Sequence, residues 1–91
     1  MLTWPAKDPN EVLDYQIDWT ARLVTGETIT TSTVTVVDGT VVVDSSSQSA
    51  GIVTVWLSGG AEGEACTLLN RVTTSAGRTY DQSVRIKVKS K

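Results

Sequence analysis

Apolar and polar residues alternate along much of this chain, and a period of two is compatible with a β-strand and with little else. Leu13, Tyr15, Ile17 and Trp19 alternate with Asp14, Gln16 and Asp18. Near the other end, Tyr80, Gln82, Val84, Ile86 and Val88 alternate with Asp81, Ser83, Arg85, Lys87 and Lys89. Each run has an apolar face for a core and a polar face for water. No window shows the sustained apolar stripe of an amphipathic helix. The best helical candidate, residues 8–15, is interrupted by Pro9. It allows at most one turn over residues 9–12, with Asp8 as N-cap.

The rest of the chain reads as further short strands. The first strand is expected to end near Leu23, with a turn at Thr25-Gly26. Residues 27–37 are rich in Thr and Val, whose branched side chains suit a pleated surface. Asp38-Gly39 is a two-residue hairpin signal, residues 40–44 read as its short return, and residues 45–51 as a polar loop. Residues 52–57 form the next strand and 58–63 a flexible turn. A long strand follows over 64–74, with Cys66, Leu68 and Val72 inward. Ser75-Ala76-Gly77 turns the chain into a last strand over 78–89. Six to seven strands at this spacing predict an all-β fold, a single immunoglobulin-like β-sandwich. The sandwich is expected to occupy residues 13–91, behind an extended N-terminal arm of residues 1–12. Trp4-Pro5 and Asp8-Pro9 bias that arm away from helix and remove backbone donors.

Composition narrows the chemistry. The 91 residues suffice for one domain. With no histidine and one cysteine, the chain lacks the commonest general base, and neither an intrachain disulfide nor a zinc site is expected. The net charge of −2 gives no field for nucleic-acid phosphates, and the basic residues near the C-terminus alternate as on a wet strand face. No leader and no long apolar run is read, so neither secretion nor membrane insertion is expected. The plentiful hydroxyls lack a base to activate them, and no nucleophile elbow or phosphate loop appears. The carboxylates Asp8, Glu11, Asp14 and Asp18 are spread along arm and strand, which suits a solvated face or inter-chain salt bridges better than a metal. Cys66 reads as a small core residue. The expectation is therefore no enzyme, no cofactor, no metal and no small-molecule substrate.

Protein contact remains. Trp19 falls on an apolar strand face and reads as core. Trp56 has parity opposite to Val53, Val55 and Leu57, so one of the two sets faces outward or into a second layer. Trp4, beside Pro5 in the arm, reads either as an anchor for a partner or as a cap folded back on the sandwich.

The opening Trp4-Pro5-x-Lys7-Asp8-Pro9-x-Glu11-x-Leu13-Asp14-Tyr15-x-Ile17-Asp18-Trp19 resembles that of small proteins encoded in the head-to-tail region of tailed-phage genomes, the fibre–tail adaptor proteins. The resemblance continues through Trp56-Leu57-Ser58-Gly59-Gly60, Asn70-Arg71-Val72-Thr73-Thr74 and Gly77-Arg78-Thr79-x-Asp81, and departs at the Val- and Ser-rich residues 40–50. It implies a virion structural protein, assembled in the host cytoplasm, that joins neck, tail or fibre components and copies of itself. Trp4, Pro5, Lys7, Asp8, Pro9, Glu11 and Trp56 are the expected interface residues. Two other roles fit a small β domain: a capsid decoration protein, and a carbohydrate- or cell-surface-binding module using Trp56 and Tyr80.

Overall fold

The computed structural model describes residues 2–90. Among these the chain forms seven strands and no helix. They are β1 (Leu2–Thr3), β2 (Leu13–Asp18), β3 (Ile29–Asp38), β4 (Val41–Ser49), β5 (Ile52–Gly59), β6 (Ala65–Thr74) and β7 (Thr79–Lys87). One sheet has the order β1-β7-β6-β3 and the other β2-β5-β4. All neighbours are antiparallel except β1, which runs parallel to β7.

The alternation sets what lies between the sheets. From β2 come Tyr15 and Ile17, and from β5 Val53, Val55 and Leu57. From β6 come Cys66, Leu68 and Val72, and from β7 Val84 and Ile86. Each large aliphatic side chain removed from water here contributes about 1.5–3 kcal/mol. Their odd- or even-numbered partners face solvent, Arg85 and Lys87 among them.

Four local expectations need correction. Asp38-Gly39 reverses the chain but joins no hairpin: β3 pairs with β6, and β4 with β5. The reversal is a corner between sheets, and ladder irregularities at Val36/Asp38 and Val43/Ser45 bend the strands that meet there. Gly39 (φ 112°) sits so close to Cys66 that a Cβ would lie 2.5 Å from its sulfur. Second, residues 45–49 are strand, not loop, paired with β5 from Ser45↔Trp56 to Ser49↔Ile52. A ladder is made by backbone groups, so short polar side chains on a solvated edge do not prevent it. The β4–β5 hairpin closes at Ala50-Gly51, whose φ values of 52° and 82° suit a primed two-residue turn.

Third, the first long strand stops at Asp18 rather than near Leu23. The Asp18 carboxylate accepts from the backbone N–H (2.9 Å) and hydroxyl (2.6 Å) of Thr20, and Arg22 N–H donates to the Trp19 carbonyl (2.9 Å). These local bonds divert the chain into turns. Fourth, the possible helical turn after Asp8 is a plain turn. The Asp8 carboxylate accepts from Asn10 N–H (2.8 Å), and Glu11 reaches back to Asp8 N–H (2.8 Å).

A candidate protein-interaction surface

The opening segment lies along β7. Leu2 and Thr3 stand beside Val84 and Arg85, and Lys7 bridges to Val88. Trp4 N–H donates to the Arg85 carbonyl (2.9 Å), Lys7 N–H to Lys87 (2.9 Å), and Lys89 N–H back to Lys7 (2.8 Å). Of the two readings of Trp4, the structure adopts the cap. Its buried indole stacks on Tyr15 with ring centroids 4.8 Å apart, and its Nε1–H donates to the Gln16 carbonyl (3.2 Å). Lys7 is 0% exposed. Its ammonium donates to the carbonyls of Asp8 (2.8 Å) and Gly59 (2.7 Å), so its charge is met by backbone dipoles.

Thus the seven expected interface residues divide. Trp4 and Lys7 are buried within the chain; Asp8, Pro9 and Glu11 are half-buried in one turn; Pro5 and Trp56 are exposed. The first six lie close together in sequence along β7 and the turn into β2, while Trp56 stands on the outer face of β5.

The later motifs are also largely structural. Asn70, which opens the motif Asn70-Arg71-Val72-Thr73-Thr74, is a buried hub. Its Oδ1 accepts from Trp19 Nε1–H (2.9 Å), and its Nδ2 donates to Ser32 Oγ (3.0 Å) and the Thr33 carbonyl (2.9 Å). The signal was available, since Asn70 lies between Leu68 and Val72 on the inward parity of β6. Glu27 accepts from the Thr74 hydroxyl (2.5 Å), Val24 N–H (3.0 Å) and Arg78 Nη1 (3.0 Å). The Thr74 hydroxyl foremost, with the Val24 amide and Arg78, holds this carboxyl below its usual range. Arg71 and Asp81 pair across β6 and β7 through two bonds of 2.8 and 3.0 Å, which lowers the Asp81 pKa. At the corner, Glu64 accepts from the Cys66 thiol (3.0 Å), Thr40 N–H (3.0 Å) and Thr40 Oγ1 (2.9 Å). The thiol foremost, then Thr40, brings it down to about 2. Burial, together with Glu64, pushes the Cys66 thiol up. That is the opposite of what a nucleophilic cysteine needs.

The outer face of β2-β5-β4 is different. Val53, Val55 and Leu57 point inward, so Trp56 points out and is 43% exposed. Asp14 stands opposite it on β2 and Ser45 on β4. Val42, also exposed, faces Ser58 one step along, and the Ser58 hydroxyl donates to Asp44 (2.9 Å). The result is an exposed apolar pair, Trp56 and Val42, set among Asp14, Asp44 and serines. A large aromatic amid polar neighbours is the composition of a docking anchor. Tyr80 does not share this face. It lies in the other sheet, half-buried and stacked on Trp19 at 6.1 Å, so the two aromatics form no common sugar platform. A cleft of about 590 Å³ opens between residues 20–29 and 48–51, but the Glu27 carboxylate beside it is already bonded to Thr74 and Arg78. Among the described residues no cluster of Cys, Asp and Glu is placed to hold a metal.

No curated protein sequence matches the chain. Residues 7–87, from the buried lysine to the end of β7, match the family described as Podophage GP4 fiber-tail adaptor protein gp77. The chain belongs to that family, as the resemblance in its opening and later motifs implied.

Proposed function

We propose that this chain is a non-enzymatic component of a phage virion that joins tail and fibre parts by protein–protein contact. Family membership supports the adaptor role. The observation that carries the mode of action is the exposed Trp56 at the centre of an outer sheet face. That indole is not needed to close the core, which Val53, Val55 and Leu57 already fill from the same strand. The contact surface includes this face and the lateral edge formed by Pro5, Asp8, Pro9 and Glu11. Trp4 and Lys7 serve it from within by fixing the opening segment to β7. The strand orders β2-β5-β4 and β7-β6-β3, with β1 on the β7 edge, support an immunoglobulin-like sandwich. Residues 2–12 then act as a strap on that sandwich rather than as a separate domain.

Particles assembled with a Trp56→Ala chain test the reading. The variant should fold normally, yet be depleted from purified virions, with fibre attachment reduced. Wild-type incorporation and attachment would overturn the assignment of this face.

A further inference from the structure

The sandwich has two lateral seams, where an edge of one sheet runs beside an edge of the other, and the two are finished differently. At the first, the opening segment bridges the sheets. Its backbone bonds to β7 at Arg85 and Lys87, while the buried Trp4 indole stacks on Tyr15 and donates to the Gln16 carbonyl of β2. At the second, β3 and β4 end their sheets, and among the described residues neither is paired along its outer side. Residues with inward parity stay accessible there. Val34 and Val36 stand opposite the buried Asn70 and Leu68, and Val43 opposite the buried Leu57, yet all three valines are only half-buried. Ser46, opposite the buried Val55, is exposed. At one end of the seam Gln48 donates across it to the Ile29 carbonyl (3.1 Å), where the cleft described above begins. Sheets usually block an open edge with Lys, Pro or a bulge. Neither β3 nor β4 contains Lys, Arg or Pro, and the irregularities of β3 lie at its two ends, leaving residues 31–36 in regular register.

We propose that this seam receives an extended segment of another virion protein, a tail or fibre subunit, which pairs through its backbone with β3 and sets alternate apolar side chains against Val34, Val36 and Val43. This rests on the adaptor reading and adds a contact surface on the side of the sandwich away from the strap. The chemistry of the segment follows from the seam. Unpaired backbone groups along residues 31–36 are met by an extended chain and by nothing else of comparable fit. A row of half-buried valines asks for an apolar residue at every second position. The charges on β3 and β4 are Asp38 and Asp44, so Lys or Arg rather than acid belongs in the incoming segment. The strap is the precedent within the same molecule, since it closes the first seam by this same combination of edge pairing and an inserted apolar side chain.

Two measurements on assembled particles test this. A photoreactive residue at position 46, exposed and free of the core, should crosslink to another virion protein. Mass spectrometry should place the adduct in a stretch whose apolar residues recur at every second position. No adduct, an adduct solely with a second copy of this chain, or an adduct in a segment without that alternation overturns the proposal. Val34→Lys and Val36→Lys put an ammonium in the seam, where the half-buried position lets it reach water. If these chains keep the wild-type circular dichroism spectrum, particles should lose either this chain or the fibre by about tenfold or more, because an inserted apolar side chain then meets a charge. Folded variants that retain both overturn the proposal, and if a variant does not fold, the crosslink at position 46 decides alone. Loss of the Trp56→Ala chain from particles, with no adduct at position 46, would discard the seam and leave the adaptor reading standing.

Discussion

Replacing Trp4 with alanine separates a strap that belongs to the fold from an arm that waits for a partner. The substitution removes an indole that is buried, stacked on Tyr15 at 4.8 Å and bonded to the Gln16 carbonyl. Trp-to-Ala changes in cores cost about 3–5 kcal/mol, and that range contains the lost stack of about 1 kcal/mol and the lost bond of about 1 kcal/mol. Because the segment lies at one edge and can partly relax, about 3 kcal/mol is the expected value. For a domain of this size that is a loss of about 12–24 °C in Tm. Total stability of such a domain is about 5–14 kcal/mol, so the variant remains folded but visibly weakened. Trp4→Phe keeps the stack and loses only the N–H bond and some area, so it should cost about 1 kcal/mol. Urea and thermal unfolding followed by circular dichroism measure both. A Trp4→Ala chain within about 0.5 kcal/mol of wild type would refute the packed opening segment and return Trp4 to the role of a partner anchor.

Four further outcomes follow from the same structure. Asn70→Ala strands the Trp19 indole N–H in the core and removes bonds to Ser32 and the Thr33 carbonyl; it should cost about 3 kcal/mol in urea unfolding. Ala50→Gly or Ala50→Asn relieves a non-glycine residue at φ 52° and should raise stability by about 0.5–1 kcal/mol, read as a higher Tm. Gly60→Ala meets both a φ of 97° and a Val88 methyl at 2.7 Å, so it should lower Tm, whereas Trp56→Ala should leave Tm nearly unchanged. Asp18, Glu27, Glu64 and Asp81 all have lowered pKa values in the folded chain. The stability they confer is therefore fully present above the ordinary glutamate value of 4.5 and is lost as the pH falls toward about 2. A Tm series across that window should decline steadily on the acid side and stay flat above it as far as these groups are concerned.

Strand identity was legible wherever one face is buried. In β2, β6 and β7 the alternation named the inward residues, because burial on one side imposes period two on the sequence. The parity of Val53, Val55 and Leu57 set Trp56 on the opposite face of its strand, but which face looks outward, and its neighbours Asp14, Val42 and Ser45, came only from the fold. The serines of β4 hid a strand because an edge strand open to water imposes little on its side chains. Asp38-Gly39 marked a reversal correctly but could not say whether the two strands share a sheet, which depends on whether β6 or β4 pairs with β3. Trp4 and Lys7 were the hardest. Their burial depends on parallel pairing with β7 at the far end of the chain, and on a Gly59 carbonyl that the end of β5 presents to the ammonium. The residues carrying the family resemblance are thus mostly those that hold the fold, and the exposed face around Trp56 is where contacts with other subunits are proposed.

Site-specific photo-crosslinking in assembled particles addresses that assignment directly. A photoreactive residue at position 56 should form adducts with a virion subunit, a second copy of this chain included, while one at Ala76, on the exposed β6–β7 turn, should form few. Abundant adducts from position 76 with none from position 56 would contradict it.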